Sequence, residues 1–190
     1  MTSESLAPWL AALSQKTPAP GGGALASALS AQAVALFTMV ARYSKGPRFG
    51  PALIDRLDRV QAEFLVLAED DARAFRDLSD TLKSVKNGVA TDLLLQSRFM
   101  AAARTPLMAF EKTLDISETL LAVAVHTNRN LKTDTLMVAD LLCCALRSHR
   151  LNVEVNLAGT NSPDFIDLSA KRLAGGTVII SALEQMRDTF

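Results

Sequence analysis

The sequence predicts an all-α fold, and three observations carry that expectation. Apolar residues recur at steps of three and four through a long central segment; an uncharged, Ala-rich run of eighteen residues precedes it; and the breaks between segments are Gly- and Pro-rich. No repeat, coiled-coil register or low-complexity segment stands out.

The elements follow in order. Ser5 to Ser14 reads as a short amphipathic piece, with Leu6, Trp9, Leu10 and Leu13 on one face, and Thr17-Pro18-Ala19-Pro20-Gly21-Gly22-Gly23 breaks it. The next helix runs to about Tyr43. Its stretch from Ala24 to Ala41 lacks any charge and reaches the length at which a membrane span becomes a candidate. Its composition favours a buried core helix: Ala dominates, and Ser27, Ser30, Gln32 and Thr38 weaken its transfer into lipid. Small side chains allow close backbone approach within a bundle or across a dimer contact, and such a surface left exposed needs a partner.

After the loop Ser44 to Pro51, a third helix is expected from about Ala52 to Val85. Leu57, Val60, Phe64, Leu67, Phe75, Leu78 and Leu82 form its stripe, interrupted at position 71. Adjacent helix residues point about 100° apart, so Asp70 joins the polar side with Glu63, Arg73 and Asp77 while Asp71 aims inward. Asn87-Gly88 marks a turn. A helical stretch from Thr91 to about Thr127 contains Pro106, which predicts a kink or boundary near Arg104 to Thr105. Thr133 is the expected N-cap of a helix through Leu146, with Asp134 in its first turn. Ser162-Pro163-Asp164 opens another helix, and Gly175-Gly176 is expected to split it from a final piece, Val178 to Met186.

Residues 1–190 are thus expected to form one soluble domain. The 20 Lys and Arg balance 20 Asp and Glu, which argues against nucleic-acid binding, since that requires a basic face. Cys143 and Cys144 are adjacent in an apolar run and build neither a disulfide framework nor a CxxC site. The first fifteen residues include Glu4 and no basic side chain, unlike a signal peptide, so a cytoplasmic location is expected, with no membrane association.

Asp71 is the sharpest chemical signal. A carboxylate on a core-facing stripe must be paired, hydrogen-bonded or protonated, and its displaced pKa suits acid/base work; a structural ion pair is the alternative. Asp140 suggests a structural arginine partner from another helix. Gly21, Gly22 and Gly23, directly before a helix, present N–H groups to an anion or simply permit close chain approach. Asn128, Asn130 and Asp134 gather at a helix entrance, where they can bond a flat heterocycle or serve as turn residues. Asn152 and Asn156 lie four apart, on one side of a helix where the chain stays helical, with plain surface residues as the alternative. His126 reads as a helix C-terminal residue and His149 as a neighbour of Arg147 and Arg150 on a charged face, with proton transfer as the alternative role for both; no metal site is expected.

In sequence order, Pro18-Ala19-Pro20-Gly21-Gly22-Gly23, Met39-Val40-Ala41, Asp71-Ala72-Arg73-Ala74-Phe75, Pro106, Asn128-x-Asn130-x-x-x-Asp134, Ala145-Leu146-Arg147 and Asn152-Val153-x-Val155-Asn156-Leu157 resemble the cyclodeaminase/cyclohydrolase family. That family comprises the C-terminal half of formiminotransferase-cyclodeaminase and free-standing bacterial methenyltetrahydrofolate cyclohydrolases. The resemblance implies an up-and-down helical bundle that dimerises and binds a folate or related pterin between helices or subunits, with no further cofactor. It implies either hydrolytic ring opening of 5,10-methenyltetrahydrofolate or deaminating cyclisation of formiminotetrahydrofolate. Asp71 is then the principal acid/base and Asp134, with Asn128 and Asn130, the orienting or polarising group. Gly21 to Gly23 and the Lys45 or Arg48 loop receive anionic parts of the ligand, and Asn152 and Asn156 complete the binding set. The chain departs from the family pattern at Ala24, at Gly46-Pro47-Arg48-Phe49-Gly50 in place of a lysine-rich loop, and at Leu136. A divergent pterin-binding or protein-binding dimer without this chemistry is the alternative reading.

Overall fold

The computed structural model describes residues 3–89 and 91–189. Six α-helices cover most of them: α1 (Ser3–Leu13), α2 (Gly22–Tyr43), α3 (Pro51–Lys86), α4 (Asp92–Val123), α5 (Lys132–Leu157) and α6 (Pro163–Thr189). Helices α2 to α6 alternate in direction. Gly23 of α2 meets Asp71 of α3, while Arg42 near the other end of α2 pairs with Asp58 at 2.7 Å. Glu63 and Asp77 of α3 pair with Lys112 and Arg98 of α4, and Asp140 of α5 pairs with Arg187 of α6. The expected arginine partner for Asp140 is therefore present. The result is an up-and-down bundle whose core includes Phe37, Phe64, Phe110, Leu142 and Leu146.

Several expectations change. Helix α4 runs unbroken through Pro106. Proline removes the N–H that would bond the Ala102 carbonyl; Asn156 Nδ2 of α5 donates to that carbonyl instead, at 3.1 Å, so the polar group stays satisfied. Gly175-Gly176 lies inside α6 rather than dividing it. A Cβ on Gly176 would overlap the Phe110 ring, so this glycine serves helix contact instead of a turn. Helix α5 begins at Lys132, with Leu131 as N-cap instead of Thr133, because a short 3-10 turn, Arg129–Leu131, leads directly into it. The α3 stripe buries Leu57, Phe64, Leu67 and Leu78, but Phe75 and Leu82 are exposed.

His149 is also corrected. It is fully buried, with Nε2 3.0 Å from Ser30 Oγ, which lies 3.1 Å from Thr113 Oγ1. This polar junction ties α5, α2 and α4 together. Thr113 donates to the Ala109 carbonyl at 2.7 Å, and Nδ1 of His149 has no partner. Burial pushes the imidazole down to about 4, so it is neutral at pH 7.

Helix α2 is long and apolar enough to cross a membrane, with mean hydropathy 1.7, yet 61% of its most apolar window is buried within this fold. Leu6, Trp9 and Ala12 of helix α1 line a groove with residues of α2 and α3.

Candidate functional site

The site forms where the N-terminus of α2 meets α3 and the last turns of α5. The cis Ala19-Pro20 bond and the glycine run lead into α2, whose N-cap Gly21 offers no side-chain cap. The missing cap is supplied from α3. Asp71 accepts a hydrogen bond from the Ala24 N–H, placing a carboxylate where the helix dipole favours one. Gly23 is what permits this approach, because a Cβ there would overlap the Asp71 carboxyl. Gly22 is under no such constraint: the nearest atom to its added Cβ would be Asn152 Oδ1, at 3.8 Å.

These residues border a cavity of about 190 Å³, completed by Pro18, Ala19, Phe75, Ala102, Val155 and Asn156. Burial is the dominant influence on Asp71 and outweighs the Ala24 hydrogen bond, raising its pKa from 3.8 to about 6. At pH 7 roughly nine in ten molecules carry the ionised form, while the protonated form stays accessible. Asn152 Nδ2 donates to the Ser148 carbonyl, and Asn156 Nδ2 to the carbonyls of Ala102 and Asn152. With their donors so committed, these amides have carbonyl oxygens left for the cavity.

The remaining expected residues lie elsewhere. Asn128 Nδ2 donates to the Tyr43 carbonyl, its N–H donates to Ser44 Oγ, and its Oδ1 accepts from the Asn130 N–H. Asn128, Asn130, Asp134, Lys45 and Arg48 thus belong to the C-terminal end of α2, while Asp71 and the glycines belong to its N-terminal end. A 22-residue helix separates them by about 33 Å. Within one chain, Asp71 and Asp134 do not share a site. Phe75 and Ala102 were missed as site residues; Phe75 sat on the apolar stripe and Ala102 had no distinguishing signal. Among the described residues no group of three or more His, Cys, Asp or Glu is arranged to hold a metal ion.

A family model described as formiminotransferase-cyclodeaminase matches residues 5–174. The chain belongs to this family. Within it, the chain is similar to the formimidoyltransferase-cyclodeaminase of Gallus gallus, at 23% identity over 206 residues. That alignment covers 99% of the chain but 38% of the chicken protein's length. The fold is also that of the formiminotetrahydrofolate cyclodeaminase from Thermotoga maritima. The TM-score is 0.82 at 25% identity, with 97% of this chain and 96% of that one covered. Membership of the cyclodeaminase family accounts for the helical bundle.

Proposed function

We propose that the chain is an enzyme of folate one-carbon metabolism, acting on a tetrahydrofolate or related pterin at the Asp71 cavity. The observation that carries this reading is the Asp71 carboxyl, held against Gly23 and lining one cavity with Asn152 and Asn156, where burial raises its pKa to about 6. The names of the relatives supply the substrate class. Either hydrolytic ring opening of the methenyl form or deaminating cyclisation of the formimino form needs one group that accepts a proton and later returns it. In ring opening, ionised Asp71 takes a proton from the water that adds to the methenyl carbon. The protonated acid then returns it to the ring nitrogen as its carbon–nitrogen bond breaks, and the new hydroxyl gives up its proton to solvent as the formyl carbonyl forms. In deaminating cyclisation on the protonated formimino group, the same carboxylate takes the proton of the attacking folate nitrogen and returns it to the amino group on the tetrahedral carbon, which leaves as ammonia and restores the positive charge on the methenyl product.

The Asn152 and Asn156 oxygens would accept hydrogen bonds from ring N–H and amino groups. Pockets enclosing a drug-sized ligand run from about 300 to 1,000 Å³, so the smaller cavity here would hold the reacting ring system and leave the tail outside.

The test mixes purified chain with 5,10-methenyltetrahydrofolate and follows loss of the methenyl chromophore above the spontaneous rate, with ammonia release from formiminotetrahydrofolate measured in parallel. The expected result is acceleration of one reaction and its loss in Asp71→Asn with folate binding kept. Absence of both activities together with absence of folate binding refutes the reading.

A further inference from the structure

Both hydrogens of the Asn156 side-chain amide are committed. Nδ2 donates to the Asn152 carbonyl at 2.8 Å, one turn back in α5, and to the Ala102 carbonyl of α4 at 3.1 Å. An amide nitrogen carries two donors and no more, so its nitrogen side is full, and Oδ1 is the face left for the cavity that Asn156 lines. Turning the amide over would set Oδ1 against two carbonyl oxygens and strip both of a donor. The residue is only 8% exposed, so little water is at hand to replace those bonds.

The second of these anchors exists because of a residue outside the cavity. In a regular helix the Ala102 carbonyl accepts from the N–H of residue 106, four positions on. That residue is Pro106, which has no N–H and whose ring crowds the carbonyl four residues back, yet α4 continues through it. Pro106 is buried among the helices and is not one of the residues that border the cavity. Its influence reaches the cavity in two steps: an open carbonyl at Ala102, then an amide held one way round at Asn156.

Asn152 supplies the comparison. Its Nδ2 donates to the Ser148 carbonyl at 2.8 Å, four residues back, just as Asn156 donates to Asn152. Both side chains follow the same local pattern along α5, and the bond to Ala102 is what Asn156 has in addition.

A wall of amide oxygens selects for donors. Asn152 and Asn156 offer theirs to a cavity of about 190 Å³ that also holds the Asp71 carboxyl, which in its ionised form can only accept. A ring edge carrying adjacent N–H and amino groups, such as the 2-amino-4-oxopyrimidine of a pterin, is complementary to this wall. A ring edge presenting lone pairs would meet Oδ1 oxygen to nitrogen with no hydrogen between. Discrimination of this kind is steep, because the wrong ligand leaves buried polar groups unpaired.

We propose that Pro106 is a positioning residue for ligand recognition. By withholding an N–H from Ala102 it frees the carbonyl that fixes the Asn156 amide with its oxygen toward the cavity, and Asn156 thereby determines specificity for a donor-bearing ring edge. That the ring is a pterin rests on the folate reading; the orientation of the amide does not.

Two measurements test it, the first without ligand. In ¹⁵N-labelled protein the two Nδ2 protons of Asn156, assigned by their absence from Asn156→Ala, should both be protected from exchange with water. In Pro106→Ala the restored N–H draws the Ala102 carbonyl back into the α4 ladder, and one of the two protons should exchange at least tenfold faster. Equal protection in the two proteins overturns the role given to Pro106.

The second compares binding of 5-formyltetrahydrofolate with binding of its analogue bearing hydrogen in place of the 2-amino group, by calorimetry. The wild type should prefer the amino form by at least tenfold, and Pro106→Ala should lose about tenfold of that preference, all of it from weaker binding of the amino form. A purely structural defect would weaken both ligands alike, so equal losses overturn the positioning role, as does an unchanged preference. In turnover the loss should fall on KM more than on kcat, and the acid limb set by Asp71 should keep its place, because that carboxyl is held by Gly23 and Ala24 of α2. A shifted limb would mean that the substitution acts through Asp71 and overturns the route through Asn156. If the wild type binds neither ligand, the folate reading and the pterin assignment fall together, while the exchange measurement still decides whether Pro106 orients Asn156.

Discussion

Replacing Gly23 with alanine separates the position of Asp71 from its presence. The added Cβ overlaps the carboxyl, so the side chain must swing out of the cavity and give up the Ala24 hydrogen bond. Two opposing effects follow. A misplacement of about 1 Å at a reacting group costs on the order of 100-fold in rate, so turnover should fall by at least that factor. Stability should respond much less. Keeping Asp71 ionised in its buried position, with its pKa raised from 3.8 to about 6, costs about 3 kcal/mol even with the Ala24 bond in place. Release into water recovers part of that and offsets the repacking around the new methyl group. Gly23→Ala should therefore lose its activity while its unfolding free energy at pH 8 changes by no more than about 1 kcal/mol. Gly22→Ala, whose Cβ meets nothing closer than 3.8 Å, should hold or raise the melting temperature and lose far less activity. Steady-state turnover and urea titration of both variants make the comparison. Wild-type turnover in Gly23→Ala would refute the claim that catalysis depends on a carboxyl held against that glycine.

The pH dependence of kcat/KM should show an acid limb near 6, falling about tenfold per pH unit below it, and Asp71→Asn should remove the limb with the activity. The sign for stability runs the other way. Because the folded pKa is raised, Asp71 favours the fold fully below pH 3.8 and loses about 3 kcal/mol of that advantage as pH rises through 6, so Asp71→Asn should be the more stable protein at pH 8. His149 has the opposite sign: its lowered pKa leaves the fold unpenalised above 6.5 and costs about 3 kcal/mol as pH falls through 4, an acid-induced loss that His149→Phe should abolish in pH-dependent urea titrations. Asn156→Ala should destabilise by about 1 to 3 kcal/mol by orphaning the Ala102 carbonyl, and Pro106→Ala, which restores the helical N–H, should reduce that loss in a double-mutant cycle.

Helical periodicity made the bundle legible, and the single acidic break in the α3 stripe located Asp71. What periodicity cannot show is which helix fills the space beside a given face. Phe75 belongs to the same stripe as Phe64, yet it borders a cavity because the bundle is open at that end. His149 lies between two arginines in the chain and faces away from both, since neighbours in a helix diverge by about 100°. Pro106 and Gly175-Gly176 carried correct local signals that tertiary contacts override. An amide from α5 replaces the proline's missing bond, and a phenyl ring from α4 uses the space left by Gly176. Motif order alone likewise gave no warning that Asp71 and Asp134 sit at opposite ends of α2.

That placement makes α2 a ruler. Its first turn is fixed by the Asp71 carboxyl and its last by Asn128, so neither end is free to slide. Inserting one residue between them would move one end by 1.5 Å and rotate it by about 100°, turning buried positions such as Ser30 and Phe37 away from their partners. Length variation in this chain should therefore be confined to its loops, with the span from Gly22 to Tyr43 inherited as an indivisible unit.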